Sequence, residues 1–192
     1  MKNLRLVPIL LLGAMLPPAT ADDFTIAARA TASDMIQRLG AVLKKEMAAG
    51  GPEKAIVVCR DVAPGLAGEL SRRTGAHVSR VSLKTRNPLL GQPDAWEQRV
   101  LAEFDQQAAQ GVKPETLERS EFVTEPQGRF FRYMKAIPVQ PLCLSCHGTT
   151  DSIPDTVKTR LATDYPHDRA TGYALGQIRG AVTIKQSAED AR

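Results

Sequence analysis

The segment Cys143-Leu144-Ser145-Cys146-His147 sets two thiols and an imidazole within five consecutive residues. Such a C-x-x-C-H run is the attachment sequence of c-type haem. Two thiols three residues apart on one helical turn can each add to one haem vinyl group, and the next residue then lies where an imidazole reaches the iron from the proximal side. Three other readings compete. A thioredoxin-like redox pair wants its cysteines at the end of a strand in a βαβ unit and has no use for the histidine; here the irregular Pro138-Val139-Gln140-Pro141-Leu142 precedes them. A zinc site needs two further ligands at comparable spacing, and only the isolated Cys59, His77 and His167 are on offer. A structural disulfide leaves His147 without a task. The expected cofactor is therefore one covalently held haem c, bound by Cys143, Cys146 and His147, with His147 as an iron ligand.

The sixth iron position is less constrained. Once Cys143 and Cys146 are consumed, Cys59 has no partner for an internal disulfide. It either coordinates the iron as thiolate or is a small buried hydrophobe, the commoner fate of a lone cysteine. Met35, Met47, Met134, His77 and His167 compete for the same position. Haem propionates are carboxylates and pair with Arg in fork-like geometry, which makes Arg80 and Arg86, flanking the Asn87-Pro88 turn, candidate binding residues. The plain alternative is that both are solvated or that Arg86 ties down the turn. Tyr165 and Tyr173 are candidates to line the pocket, or else simple packing. Trp96 reads as core.

The start of the chain bears on the same chemistry. Lys2 and Arg5 give a basic opening, Leu6 to Leu16 is an apolar run, and Ala19-Thr20-Ala21 has the small-x-small pattern of a cleavage site. A signal peptide over residues 1–21 and a mature domain over residues 22–192 are expected. The run covers only about 16 Å as a helix, too short for a hydrocarbon layer of about 30 Å, and no later stretch is long and apolar enough to span. Export to the periplasm agrees with the motif, because covalent haem attachment takes place outside the cytoplasm.

These groups need a scaffold. Ile36, Leu39, Leu43 and Met47 form one stripe of a helix expected over Phe24 to Met47, ended by Gly50-Gly51. Pro52 suits a first helical position, and Glu53 to Cys59 reads as a short helix whose run Ala55-Ile56-Val57-Val58-Cys59 should be buried. Pro64 interrupts the pattern; a further helical segment through Leu66 and Leu70 stops at Gly75, and His77 to Leu83 alternates like a half-buried strand. Asp94 and Glu97 have capping-box spacing for a helix from Ala95 to about Gln110, with Val100, Leu101 and Phe104 inward. Strand character follows at Phe122-Val123, at Arg129 to Val139 with Phe131, Tyr133 and Ile137 on one side, and at Gln177 to Lys185 with Ile178, Val182 and Ile184. Leu142 to Tyr173 is an insert of loop and short helix. Helices first and hairpin-linked strands afterwards predict an α+β domain with an antiparallel sheet and a long N-terminal helix.

Composition excludes some classes. The 192 residues are 43% hydrophobic and 24% charged with net charge +4, an ordinary globular balance. The basic residues are scattered, so no track for nucleic acid exists.

The run Ala55 to Cys59 with Ala63-Pro64, then Arg80-Val81-Ser82-Leu83-Lys84-Thr85-Arg86-Asn87-Pro88, then Pro93-Asp94-Ala95-Trp96-Glu97 resembles the PAS-like c-type haem domain family, long catalogued as a domain of unknown function. Cys143 to Gly148, Tyr165-Pro166, Asp168, Ala170-Thr171-Gly172-Tyr173 and Arg179-Gly180-Ala181-Val182 continue the resemblance over nearly the whole mature chain, with a departure at Leu89-Leu90-Gly91-Gln92. The resemblance implies one covalent haem in a PAS-like fold, an axial pair of the motif histidine and a cysteine matching Cys59, and an N-terminal helix that packs against a second copy, although the bland reading has that helix cover the sheet.

A thiolate ligand lowers the iron potential relative to Met/His ligation and is released more easily after reduction. The expected function is a redox or small-ligand sensor of the cell envelope, with a periplasmic electron-transfer cytochrome as the alternative and a redox protein as candidate partner. An enzyme such as a peroxidase needs an open distal side and an acid-base group, for which only His77 and His167 are available; no enzymatic activity is expected.

Overall fold

Thr20 starts the first helix through a reciprocal cap: its Oγ1 accepts from the Asp23 N–H while the Asp23 carboxylate accepts from the Thr20 N–H. The computed structural model describes residues 20–189, so the expected leader lies outside the described residues apart from Thr20 and Ala21. Helix α1 (Ala21–Val57) is two rods joined by a kink at Gly50-Gly51, where the backbone leaves helical geometry and Gly51 takes φ +70°. Phe24, Ala28, Ala32 and Met35 are buried positions of the first rod and pack on the sheet. The stripe Ile36, Leu39, Leu43 and Met47 is only half-buried and lines a cavity.

The expected short helix does not end at Cys59. A π turn (Val58–Val62) carries it into α2 (Ala63–Thr74), with the Ala63 N–H reaching the Val58 carbonyl five residues back. Pro64 follows at once and has no N–H to extend an α-helical ladder, so it falls at the start of α2 instead of interrupting it. Within the apolar run Ala55, Ile56 and Val58 are buried, whereas Cys59 is half-buried. Gly75, at φ +70°, ends α2 by a left-handed cap.

The sheet has four antiparallel strands in the order β1-β4-β3-β2, formed by β1 (His77–Val81), β2 (Glu118–Glu125), β3 (Gly128–Pro138) and β4 (Ile178–Ser187). This is the expected α+β architecture. β1 is shorter than the alternation suggested, because Ser82 turns away and gives its N–H to the Gly91 carbonyl. Val78, Phe131, Tyr133, Val182 and Ile184 face α1 and α2, with Ile137 packed against them. Val81, Met134, Ala136, Ile178 and Ala181 face the other way, under Trp96, Val100, Leu101 and Phe104. Ile178 was expected beside Val182; at the register shift between Ile137, paired with Gly180, and Pro138, paired with Ile178, β4 carries Arg179 as an extra residue, and Ile178 moves to the opposite face.

After the four-residue helix α3 (Pro88–Gly91), helix α4 (Ala95–Ala109) carries the capping box foreseen at Asp94 and Glu97. The insert between β3 and β4 holds a 3₁₀ turn (Pro141–Cys143), α5 (Leu144–His147) and α6 (Asp155–Asp164). Among the described residues no helix is long and apolar enough to cross a membrane.

Candidate functional site

Cys143, Cys146 and His147 are presented by a tight pair of turns. The Cys143 N–H binds the Gln140 carbonyl, and the Gly148 N–H closes α5 on the Leu144 carbonyl. A side chain at Gly148 would place its Cβ 2.6 Å from that carbonyl oxygen and from Ser152 Oγ, so only glycine lets the chain leave the motif this closely. The turn faces a cavity of about 1150 Å³, larger than the roughly 300–1,000 Å³ of most small-molecule pockets. Walls come from α1, the π turn, β1 and the insert.

Cys59 reaches the same cavity from the π turn, a wide turn that often marks functional positions. All three cysteines are free thiols. Burial pushes the Cys146 thiol up to about 11, so it stays protonated at neutral pH. Arg80, Arg86, Met35, Met47, His77 and Tyr165 also line the cavity. Met134 packs on the other face of the sheet and His167 is exposed, and neither lines this space. Trp96 is core, as expected. Tyr173 lies outside the cavity but presents its ring edge to His147, with centroids 6.2 Å apart.

The imidazole is oriented. His147 Nδ1 lies 2.6 Å from the Ala170 carbonyl oxygen; a carbonyl only accepts, so Nδ1 carries the proton and Nε2 keeps a bare lone pair. Burial first, and then the charges of Arg179 and Arg86, hold this imidazole well below its ordinary range, so it is neutral. A donor of this kind, its second nitrogen fixed by a carbonyl, is the usual form of a metal-bound histidine.

The two arginines named from sequence have different surroundings. Arg86 is 7% exposed; its Nε donates to Asp168 Oδ2 at 3.0 Å and its Nη2 to the Cys146 carbonyl at 2.5 Å. Arg80 is half-buried opposite Val182 and has no ion-pair partner among the described residues. A third, Arg179, appeared in the sequence reading only within the family resemblance and was given no role at the site. Its Nε lies 3.3 Å from His147 Nε2, its Nη1 donates to Ser82 Oγ at 2.8 Å, and its guanidinium stands over the Tyr173 ring. The signal was the one charged residue in the strand segment Ile178 to Ile184.

The residues fit a haem. The cavity offers two thiols and an imidazole on one turn, a third thiol from another element, apolar walls from α1, and in Arg80 and Arg179 two cations without a carboxylate partner among the described residues. Among the described residues no three His, Cys, Asp or Glu side chains converge as a bare metal ion would need.

A family model described as Tll0287-like matches residues 19–187. The crystal structure of the cyanobacterial heme-protein Tll0287 is similar in fold, with a TM-score of 0.58 and 26% identity over 86% of this chain and 93% of that one. No curated protein matches.

Proposed function

The chain belongs to the Tll0287-like family, and from that premise we propose that it binds one haem, attached covalently through Cys143 and Cys146 with the iron between His147 and Cys59, and acts as a periplasmic redox or small-ligand sensor. The observation that carries this reading is the meeting of Cys59 with Cys143, Cys146 and His147 at one cavity. The likeness to a solved heme-protein supports it. When bound, the group supplies a one-electron iron couple and, once an axial bond opens, a coordination position for a small ligand.

The chain's own residues set the terms. His147 offers a neutral nitrogen whose direction is fixed by the Ala170 carbonyl. Cys59 would offer an electron-rich sulfur, which would favour ferric iron and a low potential. Because the Arg86 fork is occupied by Asp168 and the Cys146 carbonyl, the carboxylate-pairing role expected of Arg80 and Arg86 falls to Arg80, with Arg179 beside it. Ile36, Leu39, Leu43 and Met47 keep water from one wall. The reading includes export by the N-terminal leader and no enzymatic activity.

Electron transfer to a partner protein is a second reading. It is favoured by the Tyr173 ring, which lies between His147 and the Lys84 ammonium on the outside and gives a short route from the imidazole to the surface.

The test is the full chain matured with a haem-attachment system. Intact mass should rise by one haem, and ferric and ferrous spectra should both change in Cys59→Ala. Loss of the sulfur ligand on reduction, with carbon monoxide binding, supports a sensor; reversible voltammetry with both ligands retained supports electron transfer. A colourless protein of unmodified mass overturns the reading.

A further inference from the structure

Three hydrogen bonds link Arg86 to the imidazole of His147 through the loop that follows α6, and a fourth ties Arg86 to the turn that carries the imidazole. Arg86 Nε donates to Asp168 Oδ2 at 3.0 Å, and Asp168 Oδ1 accepts from the Ala170 N–H at 2.7 Å. The Ala170 carbonyl accepts from His147 Nδ1 at 2.6 Å. The same guanidinium donates from Nη2 to the carbonyl of Cys146, the residue directly before His147, at 2.5 Å. Arg86 therefore holds both the backbone that carries the imidazole and the loop that carries its acceptor.

Resting on the haem reading above, we propose that Arg86 and Asp168 are positioning residues for His147, fixing the Ala170 carbonyl so that Nδ1 keeps the proton and Nε2 faces the cavity as a strong donor. The Asp168 contact to the residue two places on is an Asx turn, which orients the Ala170 backbone. The segment is further pinned where the Arg169 N–H meets the Thr85 carbonyl at 2.9 Å and the Gly172 N–H meets the Gly148 carbonyl at 2.7 Å. Packing alone does not require ions here: the Arg86 and Asp168 side chains are only 7% and 11% exposed, and apolar residues would fill such a space at less desolvation cost. What the pair adds is direction, since a guanidinium fork can grip a carboxylate and a carbonyl together and an ammonium cannot match that geometry. A short Nδ1–H to carbonyl bond raises the basicity of Nε2, so this clamp favours ferric iron.

The experiment compares the matured full chain with Asp168→Ala, Asp168→Asn and Arg86→Lys. Intact mass reports haem attachment, and spectroelectrochemistry reports the couple. Asp168→Ala and Arg86→Lys should keep their haem but shift the ferric-to-ferrous ratio at fixed applied potential about tenfold toward ferrous, a rise of about 59 mV for one electron. Asp168→Asn, which keeps an acceptor for the Ala170 N–H, should recover part of that shift. Haem-loaded variants that all keep the parent potential overturn the proposal, whereas absence of covalent haem from the parent protein overturns the haem reading instead. Should Asp168→Ala fail to fold, the other two variants decide. The parent's Nδ1–H resonance in the ferrous state gives an independent check: it should exchange with solvent at least tenfold more slowly than that of free imidazole, and fast exchange counts against the clamp.

Discussion

Arg179 Nε lies 3.3 Å from His147 Nε2, the ring nitrogen left bare because the Nδ1–H goes to the Ala170 carbonyl. Nε2 has a single lone pair, so a bond from it to a metal displaces this contact. Ser82 Oγ and the Lys84 carbonyl still hold the Arg179 Nη1, which keeps the cation beside the imidazole.

That cation should raise the potential of the bound iron, since the ferrous state carries one positive charge fewer. Arg179→Leu is expected to lower the midpoint by on the order of 100 mV, the size of one nearby charge at an effective dielectric constant of about 20. Arg179→Lys should leave it nearly in place. Spectroelectrochemistry of the two matured variants is the check, and an equal shift in both would assign the effect to shape instead of charge.

The haem-free chain, obtained as Cys143→Ser with Cys146→Ser, should lose stability in mild acid. Folding holds the His147 imidazole neutral well below its ordinary pKa, through burial first and then the nearby arginines. The unfolded chain takes up the proton near pH 6.5, so it binds more protons than the folded one and stability falls with pH below that value. Urea titrations should show about 1.4 kcal/mol lost between pH 8 and pH 5.5 from this group. Adding His147→Gln should remove that part of the slope.

Cys59→Ala tests the sulfur ligand by its electronic effect. Exchange of a thiolate for a neutral ligand or water should raise the midpoint by roughly 100 mV or more, a modest share of the ~0.8 V range that axial ligands span. The change should leave the haem mass in place, because the thioether cysteines are elsewhere. An unchanged potential would remove Cys59 from the iron and return attention to Met35, Met47 and His77, which line the same cavity.

Arg132 also borders the cavity, together with Asp94 and Glu97, but its ion pairs make it a stability prediction. It is 3% exposed, ion-paired with Asp94, Glu97 and Glu125, and lies over the Trp96 ring. Arg132→Ala leaves buried carboxylate charge without its partner and should cost about 3–5 kcal/mol in chemical unfolding.

How far the sequence could be read follows from the range of each interaction. The Asp94 and Glu97 cap, the break at Gly50-Gly51 and the left-handed stop at Gly75 all formed where they were expected, because each is settled within four or five residues by backbone donors, acceptors and sterics. Ile178 did not take its expected side, because one extra residue in its own strand, Arg179, has no partner on β3 and reverses the alternation that sequence alone assumes.

The candidate site divides along the same line. Cys143, Cys146 and His147 could be grouped from their spacing, since one helical turn brings them onto a single surface wherever that turn sits. Cys59 had competitors in the sequence; it reaches the cavity because a π turn ahead of Pro64 rotates the helix that bears it. Arg86 looked free for a carboxylate until the insert folded Asp168 and the Cys146 carbonyl onto it. Arg179 had no neighbours to name until β4 paired with β1 and brought it between Ser82 and His147. Short-range geometry is written in the order of residues, whereas contacts across the chain depend on strand register and helix packing, which a shift of one residue changes entirely.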